Sequence, residues 1–202
     1  MTTFFLVRHA VTSDTGHRLT GWTEGVGLTD EGRKQAEIAA SGLAHVAFDA
    51  IYSSPIDRTM ETARAIAEPH GMRVRSAKGL GEVHYGGWTN RSLKSLMRTK
   101  LWDTVQRFPS AARFPDGESV REVQARAITE IERIAAEHPK GKVCCVSHGD
   151  VIKLIAAHFL GVHIDLYQRI VIGPASVSVI SLTSHGPHIL ALNNCPLTPE
   201  TP

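Results

Sequence analysis

The sequence is short of the features that would tie it to a polyanion, a membrane or an oxidising compartment. Its 202 residues carry 22 lysines and arginines against 20 aspartates and glutamates, a formal net charge of +2. So small an imbalance, with the basic residues scattered, argues against general nucleic-acid or membrane-surface binding; any attraction for anions has to be local. The first apolar run, FFLV, is four residues long and leads straight into a charge, so neither a signal peptide nor a membrane span is expected there. Three cysteines, two of them adjacent at Cys144 and Cys145, make no disulfide framework: the count is odd, and neighbours on a strand face opposite ways. Both read as core residues, since no arginine stands six positions after either, as a cysteine-based phosphatase loop requires. A soluble, cytoplasmic protein is expected.

Several chemical motifs are missing as well. There is no G-x-x-x-x-G-K-[ST] phosphate loop, no G-x-G-x-x-G fingerprint, no H-E-x-x-H, no G-x-S-x-G and no cysteine pair at zinc spacing. No metal and no organic cofactor is therefore expected.

What is present is a globular composition, 42% apolar, enough for one domain with a real core. TFFLV reads as a buried strand. Thr29 caps a helix over DEGRKQAEIAASGLA, with Leu28 as a staple residue and Ala36, Ala39, Ala40 and Leu43 as its apolar stripe. FDAIYSS is a second strand, followed by a helix for which Ser54 is read as N-cap, Pro55 as first residue and Asp57 as first-turn acid. MRVRSA gives a third strand, GLGEVHYGGW a glycine-rich loop, and SLKSLMRTKLWDTVQRF two short helices. A long helix follows, with Val120, Val123, Ala127, Ile131 and Ile134 on its buried side. KVCCVS is a buried strand leading to His148 and an apolar helix, and SVSVISLTSHGPHILALNN a hairpin about the turn SHGP at a sheet edge. LTPETP is read as a loose tail. The alternation implies a three-layer α/β/α sandwich with a mostly parallel central sheet, one domain over 1–202 with a small helical cap insertion at about 84–115.

In such sheets ligands bind beyond the C-terminal ends of the strands. That places Arg8, His9 and His148 on one rim, joined by Asp57 and Arg58 from a helix start and Glu82 from the glycine-rich loop. Two arginine forks fit phosphate oxygens, a neutral imidazole at His9 can attack phosphorus, and His148 adds donors with the N–H groups of the helix it opens. Glu82, its pKa raised by partial burial, can protonate a leaving alkoxide and later accept a proton from water. His17, His45, His84, His185 and His188 are read as ordinary surface or core histidines, and Trp22, Trp88 and Trp102 as core.

These residues stand in a familiar order. LVRHAVT, LTDEGRKQAE, YSSPIDRTMETARAIA, GEVHYGGW, FPDGESVREVQAR and VSHGDVIK together resemble the blocks of the histidine phosphatase superfamily, the phosphoglycerate mutase-like proteins, over most of the chain. The resemblance implies that fold, His9 as the phosphorylated nucleophile, Arg8, Arg58 and His148 as the phosphate pocket, and Glu82 as proton donor. Ala10 and Val11 stand where the family has glycine and glutamate. Where relatives place a substrate-contacting asparagine the chain offers Asp14 or Thr15, of which Thr15 is favoured as a phosphate-side contact. The chain is too short for the mutases' longer lid and tail, which favours hydrolysis of a small phosphorylated metabolite. A phosphomutase and a non-catalytic phospholigand-binding module are the alternatives. Six basic residues between 84 and 115 (Arg91, Lys94, Arg98, Lys100, Arg107, Arg113) face one acid, Asp103; they are read as a solvated face in preference to a cap that selects multiply charged substrates. A homodimer is the default oligomeric expectation.

Overall fold

The computed structural model describes residues 1–195; the LTPETP tail lies outside them. Six strands form one sheet in the order β3-β2-β4-β1-β5-β6. They are β1 (Thr2–Arg8), β2 (Ala50–Ser53), β3 (Val74–Ser76), β4 (Lys142–Ser147), β5 (Val177–Thr183) and β6 (Gly186–Asn194). β1 to β4 run parallel, and β5 pairs antiparallel with both β1 and β6. The hairpin turn is only Ser184-His185, shorter than SHGP, because Gly186 and Pro187 enter β6. An outermost strand tolerates a proline that lacks an N–H.

Helices cover both faces. α1 (Asp30–Leu43) and α2 (Asp57–Ala67) pack on one side, where Leu43, Ala63 and Ile66 meet Val7, Cys144 and Val146. α5 (Val120–Glu137) and α6 (Gly149–Phe159) pack on the other, where Ile131, Ile134 and Ile155 meet Phe4, Leu6 and Cys145. The two neighbouring cysteines thus lie in different core layers, as strand alternation dictates. Two short helices, α3 (Leu93–Leu96) and α4 (Lys100–Arg107), lie in the segment expected as a cap. This is the expected α/β/α sandwich with a mostly parallel sheet. No helix among the described residues is long and apolar enough to cross a membrane.

Local signals place most helix starts. Thr29 accepts from the Gly32 N–H and caps α1, and Ser119 forms a reciprocal capping box with Glu122 at the start of α5. α2 differs from expectation. Its N-cap is Ile56, with no side-chain bond, and Ser54 and Pro55 precede it. The Ser54 hydroxyl is engaged elsewhere, 2.8 Å from Nε2 of His148. Asp57 does not reach the rim either: it is exposed and accepts from the Gly25 N–H at 2.8 Å, pinning the loop that precedes α1.

Candidate active site

The ladder between β1 and β4 sets the centre of the site. Arg8 is in register with Ser147, and the His9 N–H donates to the Ser147 carbonyl at 2.9 Å. His9 and His148 therefore leave adjacent strands at the same level, and their rings lie 5.3 Å apart. His9 Nδ1 is 2.8 Å from the Ala10 carbonyl oxygen. A carbonyl can only accept, so Nδ1 carries the proton and Nε2 keeps its lone pair. Burial, with Arg58 and Arg8 pushing the same way, holds the His9 pKa down at about 3 despite the bond to Ala10. The ring is a neutral imidazole throughout the physiological range.

Two arginines flank it. Arg8 Nη1 donates to the Ile172 carbonyl at 2.7 Å, and its guanidinium lies across the start of α6, where a Cβ at Gly149 would come within 3.2 Å of Nε. Arg58 is 2% exposed; its Nη2 donates to the Gly21 carbonyl at 2.8 Å and lies 3.3 Å from His148 Nδ1. Arg8 Nε and Arg58 Nη1 are buried with no hydrogen-bond partner among the described residues. A stranded buried donor costs about 1–3 kcal/mol, more when charged, so two of them beside a neutral imidazole fit a place shaped for an oxyanion.

His148 is fully buried behind this pair. Arginine only donates, so Nδ1 accepts from Arg58 and the Nε2–H is left for Ser54 Oγ. Burial first, then Arg58, push its pKa well below the usual value. The ring does not line the cavity; Gly149, the next residue, does.

Glu82 arrives from the opposite side. Its Oε1 accepts from the Val83 N–H at 3.0 Å, and Oε2 lies 3.4 Å from His148 Nδ1 and 3.7 Å from Arg58 Nη2. Burial raises its pKa, outweighing the attraction of Arg58. The Glu82 carbonyl receives Trp22 Nε1 at 2.7 Å and Arg126 Nη2 at 2.8 Å. Trp22 is half-buried, not core, and stacks on His84 with 4.4 Å between ring centres. Trp88 is core, as expected.

Arg8, His9, Arg58 and Glu82 line one cavity of about 230 Å³. Thr15 and Asp14 both reach its wall, and the Thr15 hydroxyl accepts from the Thr12 N–H at 3.0 Å. The six basic residues of 84–115 are exposed and none lines it, in keeping with a solvated face. Sequence reasoning missed Arg18, Asp150 and Lys153 on the cavity wall and Ser54, Trp22, Glu118 and Arg126 around it. Asp150 and Lys153 were findable, since they sit in the first turns of the helix that His148 opens and pair at 3.2 Å. Arg18 comes from an irregular loop with no pattern to expose it.

Comparison with known proteins agrees with the geometry. The chain is 30% identical to phosphoserine phosphatase 1 of Hydrogenobacter thermophilus, over 96% of this chain and 92% of that one. It is 29% identical to a probable phosphoglycerate mutase, GpmB, of Yersinia pestis, over 86% of this chain and 82% of that one. The solved structure of Bacillus stearothermophilus YhfR superposes with a TM-score of 0.90 at 26% identity, over 96% of this chain and 98% of that one. The family model of the histidine phosphatase superfamily (branch 1) matches residues 4–195, nearly the whole chain, and the protein belongs to that superfamily.

Proposed function

We propose that the protein hydrolyses a small phosphomonoester through a phosphohistidine at His9, without a metal ion. The observation that carries this reading is the pairing of an unprotonated His9 Nε2 with two buried, unpartnered guanidinium donors. Nε2 attacks phosphorus while Arg8 and Arg58 hold the non-bridging oxygens, helped by the Thr15 hydroxyl and the N–H groups at the start of α6. His148 orients Arg58 from behind. The bond from phosphorus to the ester oxygen breaks, and the Glu82 carboxyl delivers its proton to that oxygen. Glu82, now a carboxylate, takes a proton from water as the water oxygen attacks the phosphohistidine. Inorganic phosphate leaves, and His9 and protonated Glu82 are restored. The cations that a metal would otherwise supply are the two guanidinium groups.

The segment 84–115 is read as a cap: Tyr85 and Leu93 line the cavity, and the Leu93 N–H donates to the His17 carbonyl at 2.8 Å. Beyond the phosphate end the wall carries both signs, Asp14 and Asp150 with Arg18 and Lys153, which suits a leaving alcohol that is itself charged. The phosphoserine phosphatase among the relatives fits such an alcohol. Free Cys144, Cys145 and Cys195 fit a reducing compartment such as the cytoplasm.

The test is phosphate release in chelator from a panel of phosphorylated metabolites, wild type beside His9→Ala, with acid-labile phosphoenzyme trapped in parallel. Release and trapped phosphoenzyme are both expected to vanish in the variant. Phosphoenzyme that transfers its phosphoryl group to a second hydroxyl without release makes the protein a mutase. Release that persists in His9→Ala overturns the reading.

A further inference from the structure

Arg126 sits on the second turn of α5, outside the cavity, and touches none of the reacting groups proposed above. A guanidinium has five N–H donors, and here all are used. Nε and Nη2 grip the Glu118 carboxylate at 2.7 and 3.0 Å. Nη1 donates to the carbonyls of Gly79 and Gly81 at 2.8 and 2.9 Å, and Nη2 also donates to the carbonyl of Glu82 at 2.8 Å. Three of the five bonds therefore end on the backbone immediately before and at the acid.

Glu118 completes the hold from the far side. Its Oε2 accepts from the His84 N–H at 2.9 Å, and its own N–H donates to the His84 carbonyl at 2.9 Å. The chain at residue 117 passes so close beneath that loop that any Cβ at Gly117 would collide with the His84 carbonyl. On the outer side a Cβ at Gly81 would strike the ring of Trp22, whose indole N–H is the second donor to the Glu82 carbonyl. The backbone is thus fastened at 79, 81, 82 and 84, on both sides of a carboxyl that must sit within reach of a leaving oxygen. Among the described residues only the Val83 N–H makes a hydrogen bond to that carboxyl, so its place is set mainly through the main chain.

We infer that Arg126, braced by Glu118, is the positioning residue for the acid at Glu82. The inference rests on the reading of Glu82 as proton donor. It follows that Arg126 acts on the step that needs a proton and leaves phosphate recognition alone. Lysine cannot replace it, because three donors on one nitrogen do not span a carboxylate and three carbonyls.

The test is the dependence of kcat/KM on leaving-group pKa, from p-nitrophenyl phosphate to alkyl phosphates, for the full chain as wild type, Glu82→Gln, Arg126→Ala, Arg126→Lys and Glu118→Gln. Assays run well below each variant's Tm. Glu82→Gln is expected to lose about a hundredfold or more on alkyl esters and far less on the nitrophenyl ester, which needs no proton. Arg126→Ala should steepen the same line, losing about ten- to a hundredfold on alkyl esters, with Arg126→Lys close to it and Glu118→Gln between them and wild type. Millimolar guanidinium ion should restore part of the alkyl rate to Arg126→Ala and none to Glu82→Gln. A purely structural role would lower every substrate by one factor. Parallel lines for Arg126→Ala beside a steepened Glu82→Gln overturn the inference; should Arg126→Ala not fold, a Glu118→Gln line parallel to wild type does the same. An unsteepened line for Glu82→Gln overturns the proton-donor reading itself, and the inference with it.

Discussion

The two sides of the cavity are built on different principles. The phosphate side, Arg8, His9 and His148, hangs directly from two adjacent strands whose ladder fixes each Cα, so a side chain's place follows from its position at the last residue of a strand or one step past it. The acid side has no ladder. Glu82 lies in an irregular loop held by Trp22 and Arg126, which bond its carbonyl from 60 and 44 positions away along the chain, and by Glu118, which bonds His84 from 34. The first side is rigid because the sheet is. The second is rigid because one arginine spends all its donors on it, and a single substitution there undoes what in the sheet would take many.

That contrast makes the phosphate side alone responsible for anion affinity. Inorganic phosphate at about a hundred times its Kd should stabilise the wild type by about 2.7 kcal/mol, or on the order of 5–10 °C in Tm for a chain this size. Arg58→Ala should abolish the shift and Arg8→Ala reduce it to a small remainder, whereas Glu118→Gln should keep it whole at a lower baseline. Thermal melts with and without phosphate decide this. A shift lost in Glu118→Gln would mean that the two sides are not independent.

The sides should also respond to pH with opposite sign. An unfolded histidine binds a proton near pH 6.5, but folded His9 resists until about pH 3. Between those values the unfolded chain holds more protons, so stability falls as the pH drops, by up to about 1.4 kcal/mol per pH unit for one histidine. The depressed value of His148 acts in the same direction. Glu82 does the reverse: its folded pKa lies above that of the unfolded chain, so its contribution is present at low pH and lost as pH rises through the folded value. Urea melts across pH 4 to 8 should show a shallower acid slope in His9→Gln, and a steeper one in Glu82→Gln, which no longer gains stability as the pH falls. Matching slopes in both variants would contradict the opposed burial effects.

The same difference explains what could be read from the sequence. Arg8, His9 and His148 were legible because an apolar run ending in charge is a local pattern, and strands of a parallel sheet point their ends one way. Arg58 was legible from its helix start. Glu82 was legible only as the acid in a glycine-rich loop, and its support was not legible at all. Arg126 looks like any polar residue on the exposed side of an amphipathic helix, and its five acceptors are three backbone carbonyls and the two oxygens of one carboxylate, which only tertiary structure brings together. Ser54 was misread for a related reason. Serine before proline at a helix start is a strong local signal for a cap, but a buried histidine 94 residues later needs its hydroxyl more.

That competition can be measured directly. In Ser54→Ala the helix start loses only a long contact, from the Ile56 N–H to Ser54 Oγ at 3.5 Å, since Ile56 itself occupies the N-cap position without a side-chain bond. A true capping serine would cost about 1 kcal/mol on replacement, shared by helix and fold alike. Here most of the cost falls on the buried His148 Nε2–H, whose 2.8 Å contact is the shorter of the two, stranded in a pocket with 0% exposure, for about 1–3 kcal/mol. Ser54→Thr, which keeps the hydroxyl, should recover most of the loss if the added methyl is accommodated. Because Nδ1 of the same ring faces Arg58, a freed ring also loosens that guanidinium, so Ser54→Ala should weaken phosphate binding slightly while leaving the leaving-group dependence unchanged. A steepened dependence in Ser54→Ala would instead place His148, through its contact with Oε2, on the acid side of the divide.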